Sequence, residues 1–159
     1  MTHDHADGGR DDAGQAAAMD RALSSAARMH ADDQVVKALR ISIGEVAPGQ
    51  ATARMRVTAD MVNGHGIAHG GYLFLLADAA FAYACNTHGP VTVARQCEIT
   101  FLSPAREGDD LIAAAAERVR IERNGIYDVS VRRANGDVLA EMRGHSRTLR
   151  PGSGADGNG

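Results

Sequence analysis

The chain has 159 residues, a hydrophobic content of 44% and a formal net charge of −3. This length suits one globular domain with a substantial core, and the composition excludes a wholly disordered or fibrous chain. The weakly acidic balance excludes a protein built to bind nucleic-acid phosphates. The longest apolar run, residues 72–85, is too short to span a bilayer. With two cysteines and no signal-peptide pattern, we expect a reduced, cytoplasmic protein without a membrane segment.

Both ends of the chain are rich in glycine and polar residues. Residues 1–14 are dominated by Asp, Gly and His, and residues 150–159 by Gly. Both segments are predicted to be disordered tails around a single domain over residues 15–149. His3 and His5 have no further metal ligands beside them in the first tail, which favours a solvated segment over a metal site.

The first part of the domain predicts a helix and two strands. Residues 15–30 are Ala-rich, with the larger apolar side chains spaced for one helix face. In LRISI at 39–43 and ATARMRVT at 51–58, apolar residues stand at every second position. This period is typical of strands with one buried face. Pro48-Gly49 between the two segments predicts a turn.

Four further strands are predicted after the apolar run. PVTVARQCEITFLSP at residues 90–104 is rich in β-branched residues, and three alternating segments fill residues 110–149. Asn124-Gly125 and Asn135-Gly136 separate those three segments. Asn-Gly between alternating segments is typical of a type I′ hairpin turn, which needs two residues with positive φ. Residues 110–149 are therefore predicted to form an antiparallel meander.

The predicted order is one helix, two strands, a long apolar helix and four strands. A single central helix with about six antiparallel strands is typical of the α+β class, with the sheet wrapped around the helix. The central helix, residues 70–87, has no polar face and carries one carboxylate, Asp78. Because a sheet covers only one side of such a helix, we expect a second subunit to cover the other side.

The glycine-rich segment before this helix allows two other interpretations. Gly64, Gly66 and Gly70 stand between a strand and a helix, as in a dinucleotide-binding turn. Their GxGxxxG spacing differs from GxGxxG, and hairpin-linked strands follow instead of crossover helices. His65 and His69 are four residues apart, but the interleaved glycines indicate a loop and no Glu completes HExxH. Neither a metal nor another cofactor is therefore expected.

The two cysteines are candidate nucleophiles. Cys85 lies in the apolar helix without a basic neighbour in sequence, and Cys97 lies on the apolar side of its strand pattern. A reactive thiol needs a neighbour that stabilises its thiolate. Both cysteines are therefore predicted to be packing residues.

Asp78 is the residue of this pattern that most needs an explanation, because an unpaired carboxylate is costly to bury. His69, Gly70 and Gly71 stand where the helix begins, and first-turn N–H groups can stabilise an oxyanion. Asp78 lies roughly 11 Å or more along the helix axis from Gly70. The two can therefore share a reacting carbon only if they come from two chains of a two-fold dimer. The alternative is a buried Asp held by hydrogen bonds to the backbone.

The segment NGHGIAHGGYLFLLADAAFAYACN, residues 63–86, resembles the signature of the hotdog-fold acyl-CoA thioesterases, and most of all the phenylacetic-acid-degradation (PaaI) type. The resemblance covers residues 30–149, including FLSPAREGD, GIYDVSV and RGHSR. It implies a hotdog fold, in which an antiparallel sheet wraps a long helix, and a homo-oligomer built as a dimer of dimers. It also implies hydrolysis of small aryl- or acyl-CoA thioesters, such as hydroxylated phenylacetyl-CoA, to the free acid and CoA.

The resemblance further implies catalytic roles for four residues. Asp78 would activate water or attack the thioester directly, and the Gly70 N–H would polarise the thioester carbonyl. His69 would help to hold the loop and the substrate oxygen, and Asn63 would orient water or substrate. Relatives often carry a Ser or Thr hydroxyl on the strand after the helix, where this chain reads VARQ at residues 93–96. Gln96 is the candidate replacement for that hydroxyl.

Other residues are expected to contact the substrate. Gly71 and Phe74 lie next to the site on the helix, and Arg95 is a candidate contact for ligand or partner subunit. For the CoA nucleotide we expect the hairpin Arg123-Asn124-Gly125, with Arg143 nearby, because a guanidinium binds phosphate through two parallel hydrogen bonds. A surface ion pair is the alternative explanation for Arg95, and simple solvation for the hairpin arginines.

Two other functions exist on the predicted fold. Hotdog hydratases use an Asp and a His in a D-x-N-P-x-H element, which DMVNGH at residues 60–65 resembles without the Pro and with a different spacing. A non-catalytic acyl-CoA-binding regulator would need a DNA-binding segment, and neither tail offers a basic helix. The thioesterase is therefore preferred, and release of free thiol from CoA esters separates it from both alternatives.

Overall fold

The computed structural model describes residues 8–152 of the chain. Along these residues lie the helices and strands α1 (Gly8–Asp32), α2 (Gln34–Ala38), β1 (Ser42–Ala47), β2 (Gln50–Arg56), α3 (Gly70–Asn86), β3 (Thr92–Phe101), β4 (Asp110–Ile121), β5 (Asn124–Arg133) and β6 (Val138–Thr148). One turn of 3-10 helix, Ala59–Met61, precedes α3. None of the helices within the described residues is both long and apolar enough to cross a membrane.

All six strands form one antiparallel sheet in the order β1-β2-β4-β5-β6-β3. The sheet packs around α3, which contacts every strand. The alternation predicted for β2 is present, since Ala51, Ala53 and Met55 are buried and the residues between them are not. The predicted α+β arrangement, a long helix wrapped by six strands, is confirmed. β1 and β3 are the two edges of the sheet.

The middle of α3 lies close to the sheet because a glycine stands opposite it. A Cβ on Gly144 of β6 would lie 2.9 Å from the Phe81 ring, so a larger residue would push the helix away. Phe81 meets Tyr127 of β5 edge to face, with ring centroids 5.4 Å apart and an interplanar angle of 62°. This arrangement suits aromatic pairs and fixes the height of α3 above the sheet.

Hydrogen bonds to neighbouring segments hold both ends of α3. At the C-terminal end, the Asn86 side chain accepts from the Thr92 N–H (2.9 Å) and donates to the Thr92 carbonyl (2.8 Å). At the N-terminal end, the His69 N–H donates to the Met61 carbonyl (2.8 Å). These bonds tie the C-terminal end of α3 to the start of β3, and its N-terminal end to the segment before the helix. They fix the loop that carries the predicted site residues.

The first helix is longer than predicted. Residues 8–14, expected to belong to a disordered tail, form the first part of α1, and the helix continues to Asp32. The rest of the predicted tails, residues 1–7 and 153–159, lies outside the described residues.

α1 also changes the expected surroundings of α3. It packs against α3 and β1, and its residues Ala22 and Ser25 are buried. Part of the helix face that was expected to need a second subunit is therefore covered by the chain's own N-terminal helix. The face that contains Asp78 stays partly uncovered.

The strand predicted at residues 39–43 begins later than expected. Leu39 ends α2, Arg40 has a φ of 53° in the left-handed region, and β1 starts at Ser42. The sequence pattern did not reveal α2, because a helix of five residues is too short for periodicity to show. Its one local signal is Asp33, whose carboxylate accepts from the Val36 N–H (3.0 Å) as an N-cap.

The two Asn-Gly turns differ from their predictions. Asn135-Gly136 lies in the turn between β5 and β6, but only Gly136 has a positive φ, of 99°, so the turn is not type I′. Between β4 and β5 the turn residues are Glu122 and Arg123, with Glu122 at a φ of 53°. The prediction that Asn124-Gly125 forms this turn is wrong.

Packing inside the sheet explains the shifted turn. Gly125 lies within β5, where a Cβ would stand 2.7 Å from the Ser146 hydroxyl oxygen and 2.8 Å from the Tyr127 ring. The glycine is therefore needed for the close approach of two side chains, and not for a positive φ. The hairpin itself, and the predicted meander of β4, β5 and β6, are confirmed.

Candidate active site

The loop before α3 is closed by the side chain of Asn63. Its Oδ1 accepts hydrogen bonds from the N–H groups of His65 (2.9 Å) and Ile67 (3.5 Å). Its backbone N–H donates to the Ile67 carbonyl (2.8 Å). This is a side-chain-closed turn of the kind that Asn commonly forms. Asn63 therefore shapes the loop, and its Nδ2 group donates to no described residue.

His69 is the N-cap of α3. Its Nδ1 accepts from the Gly71 N–H at 3.4 Å, and its carbonyl accepts from the Tyr72 N–H at 2.9 Å. A neutral imidazole that accepts at Nδ1 carries its proton on Nε2, and His69 is exposed. His69 therefore holds the loop and also has a donor to offer to an incoming oxygen.

The Gly70 N–H donates to no described residue, since it belongs to the first turn of α3, where N–H groups have no helical acceptor. With the positive end of the helix dipole behind it, this N–H can stabilise negative charge on a carbonyl oxygen. A Cβ at this position would lie 3.0 Å from Cζ of Phe101. An alanine here would therefore press on the aromatic ring, which would have to move by a few tenths of an ångström.

A cavity of about 460 Å³ opens beside Gly70. Asn63 and Gly70 line it together with Leu73, Phe101 and Leu102. Phe101 and Leu102 are 51% and 57% exposed, unusual for large apolar side chains. Neither residue was predicted as a site residue, because the alternating pattern places them simply where the predicted strand ends.

Asp78 lies on a partly uncovered stripe of α3. The stripe consists of half-buried or exposed residues three or four positions apart, Gly71, Phe74, Leu75, Asp78 and Ala82. Phe74 and Gly71, both predicted to contact substrate, share this stripe with Asp78. The stripe is the part of α3 that neither α1 nor the sheet covers completely.

The Asp78 carboxylate has no hydrogen bond or ion pair with any residue in the described range. Desolvation by burial raises its pKa above the ordinary value for an aspartate. The alternative interpretation, a buried Asp held by backbone hydrogen bonds, is therefore contradicted. A poorly solvated carboxylate without partners is a stronger base and a better nucleophile than one in water.

The cysteines near Asp78 are not activated. Burial, with a further contribution from the charge of Asp78, raises the pKa of the Cys97 thiol. Burial is also the main cause that raises the pKa of Cys85 to about 12. Both thiols stay protonated at neutral pH, as expected for the predicted packing residues.

Asp78 and Gly70 do not meet within one chain. They lie eight residues apart on one straight helix, about 12 Å along its axis. A carbonyl bound at Gly70 is thus out of reach of the same chain's Asp78. The single chain supplies both halves of a site but does not bring them together.

A β-bulge decides where the residues around Arg95 point. Ala94 pairs with Ser146 and Gln96 with His145, so Arg95 is an extra residue in β3. Gln96 precedes the inward-facing Cys97 and faces the opposite side of the sheet, away from α3. Gln96 of the same chain therefore cannot replace the missing hydroxyl beside Asp78.

A second cavity, of about 160 Å³, lies at the other end of β3. Arg95, Asn124 and Gly125, three predicted substrate contacts, line it together. His145 and the exposed Ile121, neither of them predicted as a site residue, also line it. The structure thus brings a guanidinium, an imidazole and an apolar wall to one place.

Arg123 and Arg143 are not neighbours. Arg123 is in the β4–β5 turn, whereas Arg143 pairs with Asp128 and binds it with an Nη2–Oδ1 distance of 2.7 Å. The cross-strand neighbour of Asn124 is Arg147, four residues and about 13 Å along β6 from Arg143. The expectation that Arg143 lies near the hairpin is wrong, and Arg147 occupies that place.

Within residues 8–152, no group of three or more His, Cys, Asp or Glu side chains is placed to hold a metal ion. What the site offers instead is a backbone N–H donor and a carboxylate.

Comparison with known proteins was made on sequence and on structure. Residues 65–140 match the Thioesterase superfamily. The chain is 43% identical over 129 residues to the acyl-coenzyme A thioesterase PaaI of Escherichia coli (strain K12), covering 81% of this chain and 92% of that protein. The structure of E. coli PaaI superimposes with a TM-score of 0.81 at 42% identity, covering 83% and 96% of the two chains.

A mutant of the phenylacetic acid degradation protein PaaI from Thermus thermophilus gives a TM-score of 0.71 at 38% identity, over 74% of this chain and 100% of that one. These likenesses confirm the predicted hotdog fold. The chain belongs to the thioesterase superfamily and, within it, to the PaaI-type acyl-CoA thioesterases.

Proposed function

We propose that this protein hydrolyses small aryl-acyl-CoA thioesters, with phenylacetyl-CoA and its ring-hydroxylated forms as the substrate class, in phenylacetate catabolism. The E. coli relative comes from the phenylacetic acid degradation operon. The observation that carries the proposal is the presence of two unbonded groups in one chain. The half-buried Asp78 carboxylate has no partner among the described residues, and the Gly70 N–H donates to none of them. One group activates a nucleophile and the other stabilises an oxyanion.

The proposed reaction begins with the thioester carbonyl oxygen at the Gly70 N–H, where His69 Nε2 is a second donor. Asp78 of the partner subunit then takes a proton from water as the water attacks, or attacks the carbonyl carbon itself. The C–S bond breaks, the CoA thiolate leaves and takes up a proton, and the acid is released. If Asp78 attacks directly, water hydrolyses the resulting anhydride in a second step.

We propose that a two-fold dimer completes the site and that dimers pair into tetramers. The stripe around Asp78 includes the apolar Phe74 and Leu75, which are left partly uncovered. The edge strand β3 packs beside α3, and its outer edge has no neighbouring strand among the described residues. A second copy of β3 and α3 placed antiparallel would cover both features and bring each Asp78 toward the other chain's Gly70.

We further propose that the Arg95 cavity receives the nucleotide end of CoA. Arg95 supplies a guanidinium for a phosphate, and Ile121 with its neighbours supplies an apolar wall for the base. Arg95 and Phe101 are six residues apart on β3, about 20 Å. An extended pantetheine arm is therefore needed to connect a nucleotide in the Arg95 cavity with a thioester at the Phe101 end of the strand.

Substitution of Arg95 tests the nucleotide site. In Arg95→Ala we expect KM for phenylacetyl-CoA to rise by about 3- to 30-fold at low salt and by less at high salt, because the lost contact is electrostatic. Phenylacetyl-N-acetylcysteamine, which lacks the nucleotide, should be hydrolysed with an unchanged KM. Arg54→Ala removes an exposed arginine on β2, near the far edge of the sheet, and is the matched control. An unchanged KM for the CoA ester at low salt would contradict the assignment.

The function itself is tested by release of free thiol from a panel of CoA esters. We expect steady-state turnover with phenylacetyl-CoA and hydroxyphenylacetyl-CoA. Purified protein that releases no thiol from any ester would refute the proposal. Hydration of an enoyl-CoA without thiol release would identify the hydratase alternative, and saturable binding without turnover would identify the binding module.

A further inference from the structure

We propose that Phe101 determines acyl-group specificity, by forming the aromatic wall on which an aryl acyl group packs. The inference rests on the proposed thioesterase function and names the part of the site that selects the substrate. It begins from the contact between Phe101 at the end of β3 and Gly70 at the start of α3.

The Phe101 ring stands directly beside the carbonyl-binding N–H. A Cβ built on Gly70 would lie 3.0, 3.2 and 3.4 Å from three atoms of that ring. The acyl group is bonded to the carbonyl carbon whose oxygen the Gly70 N–H would hold. A side chain in contact with Gly70 is therefore within reach of the first atoms of the acyl group.

The chemistry of the cavity favours the acyl group over the pantetheine arm as its occupant. Apart from Asn63 and Ser103, the side chains that line it are apolar, including Leu73, Phe101 and Leu102. The amides of a pantetheine arm need hydrogen-bond partners, which this lining offers sparsely. A volume of about 460 Å³ accommodates a phenylacetyl group with room to spare.

Within one chain, the Phe101 ring is left largely uncovered. The side chain is 51% exposed at the edge of the sheet, and it is the one aromatic residue among those that line the cavity. Aromatic pairs packed edge to face or offset gain energy beyond the area they bury. Phe101 should therefore favour an aryl group over an aliphatic group of the same size.

The test compares phenylacetyl-CoA with cyclohexylacetyl-CoA, which has nearly the same shape without the π system. We expect the parent to have the higher kcat/KM with phenylacetyl-CoA. Phe101→Leu should reduce this preference by about 2- to 10-fold, because the apolar contact remains while the ring–ring contact is lost. Phe101→Tyr keeps the ring and should retain the preference. Light scattering on all three proteins monitors assembly.

Three results would overturn the inference. One is a parent that shows no preference between the two esters, and another is a Phe101→Leu variant with the parental ratio. The third is a Phe101→Leu variant that hydrolyses both esters more slowly by the same factor and that assembles differently from the parent. That result would assign the ring to a subunit contact. A parent that hydrolyses no CoA ester refutes the proposed function as a whole, a result distinct from these three.

Discussion

Asp78 is half-buried on α3, and no residue in the described part of the chain bonds its carboxylate. Desolvation by burial raises its pKa, so the ionised form raises the free energy of the folded chain at neutral pH. An interaction that stabilised the ionised carboxylate in the fold would instead lower its pKa. The environment of this residue therefore fits a carboxylate kept for its reactivity, and substitution can separate that role from stability.

Asp78→Asn keeps the side-chain volume and removes the charge. We expect kcat to fall by roughly 10²–10⁴, the range for a lost general base, with no drop in Tm at pH 7, since the cost of a desolvated charge is removed. Single-turnover rates and thermal melts on one preparation measure both. A variant that hydrolyses phenylacetyl-CoA at a near-parental rate would show that Asp78 is not the reactive carboxylate.

The raised pKa of Asp78 also sets the acid limb of the pH profile. Activity requires the ionised carboxylate, so kcat/KM should fall as pH decreases through a value above 3.8, the ordinary value for this group. The charge of Asp78 should lower the stability of the fold above the raised pKa, and this cost should be absent below pH 3.8. An acid limb at or below 3.8 would contradict the assignment. Activity between pH 3 and pH 8 measures it.

Gly70 is constrained by its neighbour and not by its backbone, since its φ is not positive. In Gly70→Ala the new Cβ would meet the Phe101 ring at 3.0 Å and displace the ring or the start of α3. We expect kcat/KM to fall by about 10-fold or more, because small displacements of an oxyanion donor are costly. Gly64→Ala is the matched control in the same loop, where nothing lies within 4 Å of an added Cβ. Equal activities of the two variants would contradict this account.

At the scale of elements, Glu117 of β4 connects the sheet to the segment that follows α3. Its carboxylate accepts from the Tyr127 hydroxyl (2.7 Å) and contacts His88 Nε2 (2.6 Å). Desolvation raises the pKa of Glu117, but the hydrogen bonds from Tyr127 and His88 and the nearby positive charges outweigh it, so the net pKa is lowered. A lowered carboxyl pKa contributes stability above the unfolded value that is lost as pH falls through the folded one.

Glu117→Gln should therefore be less stable than the parent at pH 7, by about 1–3 kcal/mol, because the buried Tyr127 and the half-buried His88 lose a charged acceptor. The difference should persist down to about pH 4.5, the ordinary value for this carboxyl, and narrow below it as the parental Glu117 is protonated. Urea unfolding between pH 7 and pH 3 measures the difference. Glu45→Gln, at an exposed position in β1, is the control. A difference that grows below pH 4.5 would contradict the expected sign.

For the whole molecule, the separation of Asp78 and Gly70 along α3 predicts that each active site is built from two chains. Subunit mixing tests this directly. A mixed dimer of Asp78→Asn and Gly70→Ala chains has one site with both changes and one with neither. Refolding equal amounts of the two should restore about a quarter of the parental activity, since half of the dimers are mixed and each has one intact site.

The controls for that experiment are the two variants refolded separately, each of which should keep its own low activity. Size-exclusion chromatography with light scattering confirms that the mixture contains dimers or larger assemblies. A mixture no more active than the mean of the two variants refolded separately would show that each chain carries a complete site. A fully active single chain at micromolar concentration would refute the composite site and the dimer together.

The features that depend on neighbours along the chain could be predicted from the sequence. The alternation in β2 and the meander after residue 110 follow from the two-residue period of a strand. The position of Asp78 two turns beyond Gly70 follows from helix geometry, and this separation is the reason for the proposed site shared between chains. The start of α3 at His69-Gly70 was evident in the motif because capping is local.

The contacts between elements that are distant in the chain could be seen only in the folded structure. Phe101 reached Gly70, and Arg95 reached His145, through a strand register that a single-residue bulge at Arg95 shifts. Gly125 left the turn for β5 because Ser146 and Tyr127 crowd it. Such contacts depend on register and on side-chain volume in other strands, and a slip of one residue exchanges the two faces of a strand. Local periodicity carries no information about that choice, so the cavity beside Gly70 and the cavity beside Arg95 emerged only from the folded chain.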